Sequence, residues 1–245
     1  MAQKSAESWS IMQSLLFFIL FFLQTSCART HFVLISAPGS GKGTFSQYCV
    51  RTYGYVQICP GDIFRDHIRA KTPLGCRIKP IVERGEYIDE EIVFEVMSAK
   101  LTEALEAGHS LIIDGFPRTN DSFDFLERYF YEHAHDDTII FLQFLVPDEI
   151  CVQRIANRLI CPSCATVFSA RSFAPHDDPI CSYCGDQLSM RLGDSADIAR
   201  SRVLHFHKDV EPLMDRAAEH YRVCKISTEC TYEELTNVYD ALINA

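Results

Sequence analysis

The chain has 245 residues, 47% of them hydrophobic, and a formal net charge of −10. This length and hydrophobic content allow a substantial buried core, which excludes an intrinsically disordered protein. An acidic surface repels phosphate backbones, so the charge also argues against a nucleic-acid partner. The length suits one domain with insertions or two small domains.

The first 30 residues differ in composition from the rest of the chain. Lys4 precedes an apolar run over residues 11–23, which is interrupted at Gln13 and Ser14. The pattern is typical of a signal peptide or a short anchor, although the run is shorter than the roughly 20 residues of a membrane-spanning helix. We interpret residues 1–30 as a peripheral membrane tether or an over-extended start of the reading frame.

Five short apolar segments are predicted as strands, with helical patterns between them. This alternation indicates an α/β fold with a parallel sheet covered on both faces. Asp89 precedes a predicted helix over 90–107, and one long helix interrupted at Pro212 is predicted over 195–221. The predicted strands span residues 31–36, 55–58, 110–113, 138–146 and 223–226.

Residues 32–44 run from an apolar strand into the glycine-rich turn Ala-Pro-Gly-Ser-Gly-Lys-Gly-Thr. In such a turn the backbone N–H groups converge on phosphate oxygens, and the next helix offers its positive N-terminal end. Lys42 can bridge the transferred phosphoryl group, and Thr44 can offer its hydroxyl to Mg²⁺. The match to the general phosphate-loop pattern is imperfect, because Ser36 stands at its first glycine and Gly43 precedes the threonine. The flanking strand and helix still favour a nucleoside triphosphate site over a structural turn.

A second apolar strand delivers a carboxylate and an arginine in the sequence Asp114-Gly-Phe-Pro-Arg118-Thr. Ligands bind at the carboxyl ends of the strands in open α/β sheets. Asp114 can hold Mg²⁺ through water, and Arg118 can clamp a phosphate with two hydrogen bonds. Asp114 can equally cap the following turn, so both roles stay open.

Two Cys-x-x-Cys pairs, separated by residues 165–180, lie in a segment rich in Pro, Ser and Cys that looks inserted. The spacing is typical of tetrahedral Zn²⁺ held by four thiolates, and without an open position the metal would be structural. Disulfides or idle core cysteines are the weaker alternative. The other seven cysteines are scattered singly, so we interpret the globular part as reduced and cytoplasmic. The predicted zinc ligands are Cys161, Cys164, Cys181 and Cys184.

Four arginines flank this segment. Arg154 and Arg158 lie four residues apart on a helix predicted to begin near Pro147, so both would project from one face. Arg191 follows the second cysteine pair, and Arg202 lies on the long helix beyond it. Phosphoryl transfer depends on positioning and on positive charge around the transition state. Closing the segment as a flap would bring these cations toward the transferring phosphates.

Taken together, these motifs resemble an adenylate kinase of the long type, whose lid carries four zinc-binding cysteines. The resemblance covers residues 31–245 in collinear order and includes Gly-Asp-Ile-Phe-Arg at 61–65. It implies a P-loop kinase fold with a five-stranded parallel sheet flanked by helices, a helical nucleoside-monophosphate-binding insertion over 59–88 and a zinc-stabilised lid over 157–194. It also implies a monomer that transfers the terminal phosphoryl group of MgATP reversibly to AMP, giving two ADP.

The resemblance also assigns roles to single residues. The residues implied to hold ATP are Gly39, Ser40, Gly41, Lys42, Gly43, Thr44, Arg158 and Phe168, with the last against the base. Those implied to hold AMP are Arg65, Ile88, Gly115, Phe116, Pro117, Arg118, Ser122, Arg191 and Arg202. The catalytic set is Lys42, Arg118, Arg154, Arg158, Arg191, Arg202 and Asp194.

Four positions depart from the family pattern. Ser36 replaces a loop glycine, which would strain the strand exit if that position needs a positive φ. Pro60 replaces a threonine near AMP, Ser122 replaces a glutamine that reads adenine, and Gly193 replaces the first of two lid aspartates, leaving Asp194. Because two changes fall in the acceptor pocket, two alternatives stay open. One is a kinase with a pyrimidine or relaxed acceptor, and the other is a catalytically weak nucleotide-binding protein tethered to a membrane.

Overall fold

A computed structural model describes residues 28–83, 88–164, 166–174, 178–191, 194–228 and 232–244. The strands are β1 Thr30–Leu34, β2 Val56–Ile58, β3 Leu111–Asp114, β4 Thr138–Leu145, β5 Arg158–Ile160, β6 Val167–Ser169, β7 Ser189–Met190 and β8 Arg222–Ser227. Five of them form a central parallel sheet in the order β2-β3-β1-β4-β8. The predicted five-stranded parallel sheet is therefore confirmed.

Helices connect these strands and cover both faces of the sheet. Asp89 caps the longest of them as predicted, because its side chain accepts a hydrogen bond from the backbone N–H of Glu91 at 2.9 Å. The helices are α1 Lys42–Tyr53, α2 Pro60–Arg69, α3 Pro73–Glu83, α4 Glu90–Glu106, α5 Asn120–His133, α6 Asp148–Ala156, α7 Ala196–His205, α8 Leu213–His220 and α9 Tyr232–Ile243.

Alternate residues of the central strands fill two separate core layers, as the period of two in a strand requires. Val33 and Ile113 face the layer built with α4 to α8, while Phe32 and Ile112 face the layer built with α1 and α9. All four side chains are fully buried. Because both faces are covered, the strands read as continuous apolar runs in the sequence.

At the amino ends of the strands, a buried polar network joins three of them. His31 is fully buried; its Nδ1 accepts a hydrogen bond from the Leu111 N–H at 3.0 Å, and its Nε2 lies 2.9 Å from the Asp137 carboxylate. Arg29 adds an ion pair to the same carboxylate at 2.7 Å. Burial lowers the pKa of His31, although the contact with Asp137 opposes this shift. The network fixes the edge of the sheet opposite the site described below.

Helices α2 and α3 form a hairpin on one side of the sheet. They approach closely because Gly75 lacks a side chain, and a Cβ at that position would lie 2.0 Å from the His67 carbonyl oxygen.

A second, antiparallel sheet in the order β6-β5-β7 lies between α6 and α7. Its buried hydrophobic cluster is small and, within the part of this segment that the structure describes, consists of Leu159, Cys161, Cys181 and Leu188. We call residues 158–191 the lid. Since α6 leads directly into β5 and α7 follows the last lid strand, these two helices form its base.

Two predictions along the chain need correction. Arg158 does not share a helix with Arg154, because α6 ends at Ala156 and Arg158 begins β5. The long helix predicted over 195–221 consists of α7, a π-helical segment Phe206–Val210 and α8, which starts after Pro212.

The interpretation of residues 1–30 as a tether falls almost entirely on residues outside the described ranges. Among the residues that the structure describes, no helix is both long and apolar enough to cross a membrane.

Candidate active site

The glycine-rich turn lies at the carboxyl end of β1 and leads into α1. Gly39 and Gly41 have φ angles of 83° and 108°, in the left-handed region that favours glycine. A Cβ at Gly39 would lie 2.5 Å from the carbonyl oxygen of Cys151 in α6, so only glycine fits there. A Cβ at Gly43 would meet no heavy atom within 4 Å, so the turn leaves open space on that side.

Lys42 lies inside this turn. Its Nζ donates hydrogen bonds to the carbonyl oxygens of Ser36 at 2.8 Å and Ala37 at 2.9 Å. Burial lowers its pKa, and the nearby Asp114 carboxylate opposes that shift. A desolvated ammonium group held this way interacts strongly with a phosphate anion, since little hydration is lost on contact.

Ser36 fits the strand exit without strain. Among the described residues other than glycine, only Lys71 has a positive φ. The Ser36 side chain is instead part of the sheet, because its Oγ accepts a hydrogen bond from the Phe144 N–H at 2.6 Å. The strain that a serine was expected to cause at this position is absent.

Asp114 ends β3 beside the turn. Burial raises the pKa of its carboxyl group, while Lys42 and then Arg118 act in the opposite direction. Gln57 Nε2 lies 3.4 Å from the carboxylate. Oxygen atoms of this kind are the ligands that Mg²⁺ prefers, and Thr44 offers a hydroxyl from the first turn of α1. The donor set therefore fits a magnesium ion bound with ATP.

Five guanidinium groups lie near one another at this end of the sheet, and two of them, Arg118 and Arg191, also lie close enough to Asp114 to oppose the rise in its pKa. Burial is the main cause that lowers the pKa of Arg191 to about 10, and repulsion from Arg65 and Arg158 adds to it. The pKa of Arg202 falls for the same reasons, through burial and then the charges of Arg158, Arg118 and Arg65. Arginines that repel each other across one space form a strong binding site for polyanions. The structure thus brings Arg65, Arg118, Arg158, Arg191 and Arg202 together.

Asp194 holds two of these arginines in position. Its carboxylate accepts two hydrogen bonds from Arg158, at 2.6 and 2.7 Å, and lies 3.5 Å from Arg202. Asp194 is 2% exposed, so its carboxylate is shielded from solvent, whereas the Arg202 side chain is partly exposed. Arg154 contacts the phosphate loop instead, with its Nη1 3.4 Å from the Gly39 carbonyl oxygen. Asp194 therefore acts on the site through the arginines.

Apart from the two arginines in the lid and on α7, the residues predicted to hold AMP lie around the ends of β2 and β3. Arg65 pairs with Asp62 one turn earlier in α2, and Arg118 donates to the Gly115 carbonyl at 2.8 Å. Gly115 has a φ of 73°, and Phe116 is 2% exposed. Ile88 and Pro117 lie in the connections before α4 and α5.

Ser122 occupies a different environment from the one expected of a base-reading residue. It is 3% exposed, and its Oγ accepts hydrogen bonds from the N–H groups of Arg118 at 2.9 Å and Thr119 at 2.8 Å. The same hydroxyl donates to the Thr119 carbonyl at 2.9 Å, so Ser122 completes the capping box that Thr119 begins at the start of α5. Its hydrogen-bonding capacity is used by the backbone.

The four predicted zinc ligands form one cluster. Their sulfur atoms all lie within 4.8 Å of one another, with Cys161 and Cys184 at 3.3 Å and Cys164 and Cys181 at 3.5 Å. These separations are too long for disulfides. They are close to the roughly 3.8 Å expected between thiolates of a tetrahedron with Zn–S bonds of about 2.3 Å.

Thr166 is a partner of this cluster that the sequence did not single out. Its Oγ1 lies 3.2 Å from Cys164 Sγ, and this contact lowers the pKa of the Cys164 thiol. A thiolate is the form that binds a metal ion. The only signal in the sequence was a hydroxyl residue two positions after a cysteine.

A parallel sheet with a phosphate loop at its carboxyl edge, faced by converging arginines, defines a P-loop phosphotransferase. The chain belongs to the adenylate kinase family, because a family model described as adenylate kinase matches residues 34–223.

Individual relatives agree with this family assignment. An adenylate kinase of Thermotoga petrophila is 34% identical over 186 residues, which cover 76% of this chain and 84% of the relative. An adenylate kinase of Petrotoga mobilis is 33% identical over 200 residues, covering 81% and 90%. One of Borreliella burgdorferi is 29% identical over 203 residues, covering 83% and 93%.

Proposed function

We propose that this protein transfers the terminal phosphoryl group of MgATP reversibly to AMP, giving two ADP. The observation that carries the proposal is the convergence of Lys42 and five arginines on the space between the phosphate loop and the end of β3. The protein as a whole is acidic, so this local cluster of positive charge would attract phosphates. Such a cluster can bind two nucleotides whose phosphate groups face each other.

The donor nucleotide would lie on the loop side. The N–H groups of residues 39–44 would bind its phosphates at the N-terminus of α1, with Lys42 at the terminal phosphate. Phe168, on lid strand β6, would pack against its base. Thr44 directly and Asp114 through water would hold Mg²⁺, which neutralises phosphate charge when bound.

The acceptor phosphate would lie between Arg65 and Arg118, from α2 and from the end of β3. Arg158, Arg191 and Arg202 would then stabilise the transferring group between the two nucleotides. Since two of these three arginines lie in the lid and one lies on α7, lid closure completes the site. Closure also excludes water, which would otherwise compete with AMP as the acceptor.

Zinc would be structural in this scheme. Four thiolates at tetrahedral spacing leave no open coordination position, so the metal orders the lid and takes no part in the transfer.

A coupled assay for ADP formation tests the reaction. The full chain should form ADP from MgATP and AMP, and the reverse reaction should form ATP and AMP from ADP. Absence of transfer with every monophosphate acceptor would instead favour the nucleotide-binding protein without strong catalysis.

A relaxed acceptor is the second candidate, and one observation favours it. The Ser122 hydroxyl is fully used in capping α5, so this side chain does not supply a hydrogen bond to the acceptor base. A site that does not pair with the polar groups of a base discriminates weakly between bases. Steady-state KM values for AMP, CMP, UMP and GMP show whether the acceptor site accepts several bases. Tight and exclusive use of AMP would exclude this candidate.

The monomeric state, the cytoplasmic location and the tether remain predictions from the sequence. Light scattering and cell fractionation of the full chain, with and without residues 1–27, test them directly.

A further inference from the structure

The lid touches the core at a place distant in sequence from its base helices. Tyr183 lies in the second Cys-x-x-Cys turn, and Arg51 lies in the last turn of α1. The Arg51 guanidinium carbon is 4.6 Å from the centre of the Tyr183 ring, and Arg51 Nη1 donates a hydrogen bond to the Tyr183 hydroxyl at 3.2 Å. One arginine thus makes both a cation–π contact and a hydrogen bond with one lid residue.

This contact connects the helix that follows the phosphate loop with the part of the lid that is proposed to bind the ATP base. Helix α1 begins at Lys42 in the phosphate loop and ends next to Arg51. On the lid side, the Tyr183 ring lies 6.2 Å from the ring of Phe168, which in turn lies 6.3 Å from that of Phe173. Arg51 therefore contacts Tyr183, whose ring neighbours Phe168, the residue proposed to pack on the ATP base.

A second polar contact between lid and core lies at the base of the lid and would not be separated by lid opening. Arg171 donates to Gln153 at 3.3 Å, but Gln153 lies on α6, which continues directly into the lid. That contact stays near the point where the lid joins the core. By contrast, Arg51 and Tyr183 lie on elements with no direct connection, so lid opening would separate them.

We propose that Arg51 and Tyr183 form a latch that holds the lid closed over the bound nucleoside triphosphate. Arg51 is then a positioning residue for the donor nucleotide, and this inference rests on the proposed function of the same site. The Tyr183 side chain is 62% exposed even in this contact, so the latch is weak and lets the lid reopen in each turnover. We expect its effect to fall on donor binding and not on acceptor binding, because Arg51 lies on the helix that begins in the phosphate loop and Tyr183 lies beside Phe168.

The size of the effect follows from the exposure of the pair. A cation–π contact at an exposed site corresponds to roughly a two- to fivefold change in affinity. We therefore expect Arg51→Gln and Tyr183→Leu each to raise the KM and Kd for ATP by roughly two- to fivefold. The KM for AMP should stay unchanged. Tyr183→Phe keeps the ring under the guanidinium and should retain most of the affinity.

A double-mutant cycle on the full chain tests the pair. In Arg51→Gln/Tyr183→Leu, the ATP affinity should be no lower than in either single variant, since both remove the same contact. Amide hydrogen exchange over residues 178–191 with saturating ATP should be faster in all three proteins than in the wild type. Arg128→Gln and Tyr131→Leu, two exposed residues of α5, serve as matched controls and should change neither readout.

Two results would overturn the latch: single effects that add in the double variant, or unchanged ATP affinity in both single variants. The binding and exchange measurements use ATP alone and require no chemistry. If the wild type closes its lid on ATP but transfers no phosphoryl group to any acceptor, the proposed function fails while the latch stands.

Discussion

The central sheet and the lid supply cations to the same site, yet they are held together by different means. The sheet buries complete apolar layers on both faces, and Phe32, Val33, Ile112 and Ile113 are all fully buried. Among the described residues of the lid, the buried hydrophobic cluster consists of four, two of which are cysteines of the proposed metal site. So small a core cannot offset the conformational entropy of ordering the lid. The core can therefore position its charges by packing alone, whereas the lid would need the proposed metal ion.

We expect the largest effect on folding from removing the metal, because the lid would depend on it and the central sheet would not. With Cys181→Ser or with a strong chelator, the lid should lose its order while the central sheet stays folded. Structural zinc sites contribute roughly 10 kcal/mol or more to the folding of the segment they hold. Native mass spectrometry should show one zinc in the wild type, and amide exchange over residues 158–191 should become fast without it.

A matched control for this experiment is Cys76→Ser, an exposed cysteine outside the cluster, which should keep the zinc. A metal-free wild type with a protected lid would contradict the assignment.

Lys42→Met is the corresponding change in the core. It removes the buried ammonium group from the phosphate loop but leaves the apolar layers intact, so activity should fall by about 10³-fold at nearly unchanged melting temperature. Initial rates of ADP formation and a thermal melt measure both quantities. Lys208→Met, on an exposed side chain, is the control, and an active Lys42→Met protein would refute the role given to the loop lysine.

The His31 network tests the stability of the sheet itself. His31→Leu leaves the Leu111 N–H and the Asp137 carboxylate without this partner, which should cost about 2–3 kcal/mol at pH 7.5 by urea unfolding. Because burial lowers the pKa of His31, the unfolded chain binds more protons than the folded one below the ordinary histidine pKa of about 6.5. Wild-type stability should therefore decrease as the pH falls below this value.

The loss caused by His31→Leu should accordingly be smaller at pH 5.5 than at pH 7.5. His109→Leu, at an exposed position, should show neither the loss nor the pH dependence. An equal cost at both pH values would show that the histidine does not titrate in this way.

Asp194→Asn should have the smallest effect of the four, since it keeps the shape of the side chain. Without the carboxylate, repulsion between Arg158 and Arg202 is no longer balanced, and kcat should fall by about tenfold. Asp197→Asn, whose side chain is 96% exposed in its pair with Arg200, is the matched control. An unchanged kcat in Asp194→Asn would mean that the arginines keep their positions unaided.

The sequence predicted the parts of this molecule that depend on local pattern. The alternation of apolar strands with helical patterns indicated the parallel sheet, and the cap at Asp89 placed the start of α4 correctly. Arg158 was misplaced because a spacing of four suits a helix, while the end of α6 depends on pairing of β5 with β6 and β7. The roles of Ser36 and Ser122 depend on backbone groups such as the Phe144 N–H, and these partners follow from tertiary structure. Local pattern therefore predicts elements better than it predicts the partners of single polar side chains.

The close approach of Gly39 to Cys151 has a mechanical consequence. The phosphate loop rests directly on α6, and Arg154 from the same helix reaches the Gly39 carbonyl. Since α6 leads into β5, the helix that supports the phosphate loop also carries the lid. A tilt of α6 during lid movement would press on the loop, so we expect phosphate binding in the loop and lid closure to favour each other.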